Sequence, residues 1–274
     1  MNTTTVNNRR EIPKTAQEIN AVLTIAMREI ITTIKVPTRI VTAIIWPIMF
    51  LWLMGGNLMQ NMGTQVGYNF NQFMLTGMLI NGMFMMIVVG ITTLVEDREN
   101  DFTQEMFVAP VSRYSIIIGK IVGTSFTGFI EFLATIIVGL CMGISIEASQ
   151  LLKLLAISPL ICIAAGSLGV MIIGFIHNSS TAGLIVMTGS MLQMFLSGAL
   201  IPINNTAGAI SVFSHILPLT YCLDFARGIF YAGTSDYSKI VMYSPPVNFE
   251  IILTFTAVFF ILGTISFVRS EKNR

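Results

Sequence analysis

Two groups of side chains in this chain have types and spacings that could do chemistry. The first is Lys120, Thr124, Thr127, Gly128, Glu131 and Thr135, which recur every three or four residues and so share one face of a helix. Glu131 is the carboxylate set inside a long apolar run. A charge at a bilayer centre costs on the order of 3 kcal/mol unless it is paired, hydrated or protonated. If the lipid-crossing part runs from Ile121 to Cys141, Glu131 sits near its middle; if it starts at Tyr114, about 17 residues at about 1.5 Å each bring Glu131 close to the outer surface. Such a stripe faces other helices or a wet pathway, so Glu131 is a candidate ion or proton site. Plain interhelical hydrogen bonding is the structural alternative. Asn81, Ser190, Gln193 and Ser197 are weaker cases of the same kind, and the eighteen methionines are either filler or a pliable lining for a greasy ligand.

The second group is an acidic island, Val95 to Lys120. It holds Glu96, Asp97, Glu99, Asp101 and Glu105 with Arg98, Arg113 and Lys120, while Ile40–Val95 and Leu154–Leu223 contain no Asp, Glu, Lys or Arg. A charged segment between two apolar blocks lies in water beside a membrane, where a soluble partner can reach it. Asp101–Ala109 reads as a short helix, with Asp101 and Gln104 as a capping pair and Pro110 as its stop. Phe102 and Met106 share one face at i, i+4 and make an apolar ridge suited to docking. An ordinary solvated loop is the bland alternative.

Other chemistries lack their residues. There is no Gly-x-x-x-x-Gly-Lys-Ser/Thr loop for ATP. Cys141, Cys162 and Cys222 have no paired or metal-like spacing, and His177 and His215 stand alone. No nucleophile–base pair or cofactor fingerprint appears, so the chain reads as a non-catalytic protein that binds no cofactor itself. A net charge of +1 argues against a nucleic-acid partner.

The elements that must carry these groups follow from composition. The chain is 54% hydrophobic and 11% charged, against about 25% charged in soluble domains. It is therefore expected to be an all-α integral membrane protein. Six apolar segments meet the need for about 20 residues per span, at 38–59, 73–95, 115–142, 152–176, 182–202 and 248–268. They are too long and continuous for barrel strands. Before them, Thr15 and Glu18 form a capping pattern for an amphipathic helix ending near Lys35. Its apolar face is Ile19, Val22, Leu23, Ala26, Met27, Ile30 and Ile34; its polar face is Glu18, Asn20, Arg28, Glu29, Thr32 and Lys35. Such a helix lies along the membrane surface.

Between spans five and six, Ile210 to Leu217 is apolar, Pro218 interrupts, and Thr220 to Tyr231 reads as helix. Neither half crosses a membrane, so a helix pair dipping into the outer leaflet or capping a pore is expected. Asp224 and Arg227, three apart, can pair, and a structural salt bridge is expected there ahead of a substrate contact. Gly166, Val170 and Gly174 at four-residue spacing predict close helix packing. Arg9, Arg10, Lys14, Arg28, Lys35, Arg39, Arg98, Arg113, Lys120, Arg269, Lys272 and Arg274 fall on one side of the spans, against Lys153, Arg227 and Lys239 on the other. The positive-inside rule then makes both termini and the acidic island cytoplasmic. The whole chain, 1–274, reads as one domain: tail and surface helix 1–37, six-span bundle 38–268, tail 269–274.

The order of these features resembles a known family. A basic surface helix and two spans lead to an acidic segment ending Ala109–Pro110–Val111–Ser112–Arg113, with Gly119–Lys120 after it. Later come Ser197–Gly198–Ala199–Leu200–Ile201–Pro202 and Pro218–Leu219–Thr220–Tyr221, with Asp224 and Arg227–Gly228. This is similar to the membrane subunit of type-two ATP-binding-cassette exporters, closest to the daunorubicin-resistance branch. The resemblance spans nearly the whole chain, through the combination and not through any one motif. It implies a half-transporter in a bacterial or archaeal plasma membrane, paired with a second, identical permease chain and surrounded by lipid. Two copies of a separate ATPase would carry ATP and magnesium. The coupling helix of the family maps onto Asp101–Ala109, with Glu96, Asp97, Arg98 and Glu99 leading in. Implied substrates are drugs, lipids and lipid-linked molecules, exported by alternating access. A rival reading is a secondary transporter or channel that uses Glu131.

Overall fold

The structure is a computed structural model that describes residues 13–62, 67–100, 112–203 and 208–272. Among them there are ten helices and no strand. They are α1 (Lys14–Lys35), α2 (Pro37–Met62), α3 (Phe70–Glu99), α4 (Arg113–Cys141), α5 (Ala148–Phe175), α6 (Ser179–Leu196), α7 (Ala209–Ile216), α8 (Pro218–Phe230), α9 (Tyr237–Ile240) and α10 (Pro245–Lys272). Five runs are long and apolar enough to cross a membrane: α3, α4, α5, α6 and Tyr237–Arg269 ending in α10. The pair α1 with Pro37–Trp52, bent by 74°, supplies a sixth candidate.

The bend falls at Val36–Pro37. Pro37 has no N–H to continue the α1 ladder, yet its fixed φ suits the first turn of α2. The expected Thr15/Glu18 cap does not form. Helix α1 begins two residues earlier, where the Pro13 carbonyl accepts from Ala16 N (2.8 Å) and Gln17 N (3.1 Å). With those first-turn donors satisfied by backbone, Glu18 is left to act elsewhere. On α1, Ile19, Leu23, Met27 and Ile34 are exposed, as suits a helix on an apolar interface, whereas Ala26, Glu29 and Thr33 are buried against the bundle. The buried side of α1 is thus partly its polar side.

Helix α3 is the centre of the bundle. Its apolar residues run all round the helix, so it can be covered on every side, and Phe73 to Phe84 are buried without interruption. It meets α2, α4, α5, α6 and α8. Helices α5 and α10 cross at glycines. A Cβ on Gly174 would lie 2.8 Å from the Gly263 carbonyl oxygen, and one on Gly263 would lie 2.6 Å from Met171 N. Gly166 likewise admits Ile121 of α4, and Val170 is fully buried. The close packing expected of this stripe is what the backbones adopt.

Three helix starts are capped by side chains. Asn69 accepts from Gln72 N (3.3 Å), Ser112 from Tyr114 N (3.2 Å) and Asn178 from Thr181 N (3.0 Å), which starts α3, α4 and α6. Antiparallel runs then place the start of α1, the end of α3, the start of α4, the 176–178 turn and the end of α10 at one end of the bundle. This charged end contrasts with the opposite end, where α7–α9 sit.

Candidate functional site

At the charged end, five ionic side chains from four helices meet. Lys120 of α4 donates to Glu29 of α1 (2.6 Å) and to Asp97 of α3 (3.4 Å). Arg39 of α2 donates to the other Glu29 oxygen (3.2 Å), and Arg28 of α1 donates to both Asp97 oxygens (2.7 and 3.4 Å). The Lys120 and Glu29 side chains are only 2% and 5% exposed, so each depends on the other for compensation. Backbone proximity makes this possible: a Cβ on Gly123 would lie 2.5 Å from Glu29 Cβ and 3.0 Å from the Ala26 carbonyl. One turn further along, the Thr33 and Thr127 hydroxyls meet at 3.1 Å.

This network brackets the segment 101–111. Asp101, Phe102, Glu105, Met106 and Pro110, expected to form the docking helix, lie outside the described residues. The residues leading in are held by the bundle. Asp97 binds Arg28 and Lys120. Arg98 is buried, with its guanidinium 4.7 Å from the Phe267 ring centre and 3.4 Å from the Ile176 carbonyl. Glu99 accepts from Ser179 N (2.9 Å) and Asn178 Nδ2 (3.2 Å), at the N-terminus of α6. Glu96 stands exposed. On the far side of the segment, Glu18 accepts from Ser112 N with both oxygens (3.0 Å each) and from the Ser115 hydroxyl (2.6 Å). Arg113 donates to the Val268 carbonyl (3.2 Å). Helix α1 therefore holds both stems of the segment, through Arg28–Asp97 on one side and Glu18–Ser112 on the other.

The second place where polar groups gather is within the spans. All of Lys120, Thr124, Thr127, Glu131 and Thr135 are buried, but they do not form one lining. Lys120 and Thr127 belong to the junction with α1. Thr124 and Thr135 turn back onto their own helix, to the carbonyls of Ile121 (3.1 Å) and Glu131 (2.9 Å). Glu131, fully buried, lies against Gly82 of α3, where a Cβ would come within 2.6 Å of Oε1. Neither of its carboxylate oxygens has a hydrogen-bond partner among the described residues, and neither does Asn81 Oδ1. Glu131 and Asn81 line a cavity of about 450 Å³ with Trp46 and Phe50 of α2 and Met85, Met86, Met187, Met191 and Met194. The methionines expected as a possible pliable lining thus gather on α3 and α6. Ser190 lines the cavity too. Gln193 and Ser197 are buried at the end of α6 and are not among the lining residues.

At the opposite end, the expected helix pair is present as α7 and α8, with Pro218 opening α8. The Tyr221 hydroxyl donates to the His215 carbonyl (2.7 Å) and ties the two together. The expected Asp224–Arg227 ion pair does not form. Asp224 instead accepts from Met242 N, Tyr243 N (2.8 Å each) and Asn248 Nδ2 (2.7 Å). Arg227 donates to the carbonyls of Gly198 (2.9 Å), Phe73 (3.2 Å) and Ala199 (3.3 Å) and stacks 3.7 Å from the Phe73 ring centre. Backbone groups left over by helix ends and turns compete for each side chain and draw the two apart. The Gly198 turn (φ +84°) that presents the Gly198 and Ala199 carbonyls needs glycine's left-handed freedom.

Sequence reasoning missed Glu18, Arg28, Glu29 and Arg39 as site residues. Each sits on or beside an amphipathic helix where charges are ordinary, and no local spacing links them to Asp97 or Lys120. Among the described residues, no group of three His, Cys, Asp or Glu could hold a metal ion.

Residues 20–231 match the family model described as ABC-2 type transporter. The chain is also similar to proteins named putative transport permease ycf38. The one from Cyanophora paradoxa is 22% identical over 246 residues, covering 86% of this chain and 84% of the relative. Those from Porphyra purpurea and Pyropia yezoensis are 25% and 24% identical over 235 residues, covering 82% of this chain and 78% of each relative.

Proposed function

The chain belongs to the ABC-2 type transporter family, and on that premise we propose that it is the permease subunit of an ATP-driven exporter. It spans the membrane in several passes and is a transport subunit by family. The family implies an ATPase partner; two copies of it, each holding ATP and magnesium, would drive a dimer of permease chains, and the second chain is taken to be identical. The charged end would face the cytoplasm, with both termini. The matched relatives come from Cyanophora, Porphyra and Pyropia, so the reading specifies neither a bacterial nor an archaeal membrane, and it leaves the daunorubicin-resistance branch aside. The substrate would be hydrophobic or amphipathic, carried through the methionine-lined cavity by alternating access between two packings.

The observation that carries this reading is the grip of α1 on both stems of segment 101–111. A partner pressing on that segment would move Asp97 and Ser112 together, and with them α3 and α4, which also bound the cavity. The test is to replace Phe102 and Met106 with Asp and measure co-purification and stimulation of the ATPase. Loss of both is expected. Unchanged association and unchanged ATP turnover would remove the docking role.

A second reading is favoured by the unpartnered Glu131: a secondary transporter or channel with that carboxylate as ion or proton site. It requires transport by the purified chain in liposomes without any ATPase.

A further inference from the structure

We infer that the Glu131 cavity is built for an organic cation, an ammonium carried on an apolar body. The inference rests on the cavity being the substrate route. Its three orphaned polar atoms are Glu131 Oε1, Glu131 Oε2 and Asn81 Oδ1. With Glu131 ionised, all three are acceptors, so they call for a donor and for positive charge. Both residues are at least 99% buried, so neither side chain faces bulk solvent.

Among the described residues, no Lys or Arg lines the cavity. Helix α2 from Ile40, α3 through Val95 and all of α6 contain no Lys or Arg. The one lysine of α4 lies about 16 Å away along the helix and is engaged by Glu29 and Asp97. A second copy facing the cavity with the same helices would bring none either. An ionised Glu131 therefore takes its counter-charge from outside the chain.

The rest of the cavity says what carries the charge. A single carboxylate in a mostly apolar lining is unlike the cluster of carboxylate and carbonyl oxygens that a calcium-type ion gathers. The volume of about 450 Å³ lies within the usual range for small organic ligands. Trp46 and Phe50 offer ring faces that attract a cation, and the methionines can re-pack around varied apolar bodies. Gly82 completes the arrangement, because any side chain there would push into the carboxylate.

The test uses the purified full-length chain in nanodiscs without ATPase, titrated with fluorescent dansylcadaverine, which ends in a primary ammonium, and with its neutral N-acetyl derivative. Wild type is expected to bind the ammonium probe about tenfold more tightly, a modest yield for one desolvated charge pair. Glu131→Gln is expected to abolish the preference while leaving the N-acetyl affinity unchanged. Equal affinities in wild type, no binding of either probe, or a preference that survives Glu131→Gln would each overturn the inference. If Glu131→Gln loses both probes, Asn81→Leu decides: selective weakening of the ammonium probe sustains the inference and equal weakening sinks it. Co-purification with the ATPase is read separately, so failure here leaves the permease reading standing and the converse also holds.

Discussion

Two buried carboxylates meet the same helix and are treated in opposite ways. Glu29 reaches α4 from α1 and lies between Lys120 and Arg39; Glu131 is on α4 itself and touches no donor among the described residues. Each is admitted by a glycine, Gly123 for the first and Gly82 for the second. Packing alone therefore does not separate them. The difference is whether the protein completes the charge. Where it does, the carboxylate fixes how helices meet; where it does not, burying an unpaired charge is a cost that folding alone gives no reason to keep.

The largest test of that contrast is Lys120→Met. It leaves Glu29 only the partly exposed Arg39, and a loss of about 3–5 kcal/mol is expected for one partner of a buried pair, read as a fall in the midpoint of denaturant unfolding in detergent. Adding Glu29→Gln should return most of the loss, because the double variant buries no lone charge. A neutral single variant would mean that Glu29 is already compensated by Arg39 alone, and the junction would lose its claim to hold α1.

Next comes a pair of glycines. Gly123→Ala places a methyl against Glu29 Cβ and the Ala26 carbonyl, backbone that cannot step aside, and about 1–3 kcal/mol of destabilisation is expected. Gly82→Ala meets only the Glu131 side chain, whose far end can rotate away. Its stability cost should be the smaller of the two, with ammonium binding lost first. Equal costs from thermal unfolding of the two variants would show that Glu131 is as rigidly held as Glu29.

These contrasts also mark what the sequence makes legible. The spans, the α7–α8 pair and the Gly166–Gly174 stripe can be read because each depends on a local repeat or on a break at proline. The α4 stripe can be read for the same reason, since 3.6-residue periodicity puts its members on one face. What periodicity cannot say is which member meets which neighbour. Glu29 looks like any solvated charge on an amphipathic helix until Lys120, 91 residues away in sequence, is placed against it. Glu18 looks like a capping residue of its own helix, and its partner Ser112 lies 94 residues on. Asp224 and Arg227 mislead in the other direction, because their spacing allows a pair and only the surrounding turns reveal better acceptors and donors.

Glu18→Ala belongs lower on the scale. It removes an acceptor from the start of α4, worth about 0.5–2 kcal/mol for a capping contact. The more telling readout is partner-stimulated ATP turnover, expected to fall while co-purification persists, because one of the two holds on segment 101–111 is gone. Equal losses of turnover and association would assign Glu18 to docking.

The smallest effect on stability should come from Glu131→Gln, and it separates the two carboxylates most cleanly. Among the described residues nothing pairs with Glu131, so exchanging it for a neutral isostere breaks no contact there and removes the penalty of a desolvated charge. The new amide can donate where the carboxylate could not, and Asn81 Oδ1 is an acceptor without a partner. Thermal unfolding of the purified chain should stay where it was or move upward. A fall as large as that of Lys120→Met would mean that the assembled protein does complete the charge, through a contact between copies or with the ATPase-bound state. Glu131 would then join Glu29 as part of the joint, and the cavity would lose the charge that makes it prefer a cation.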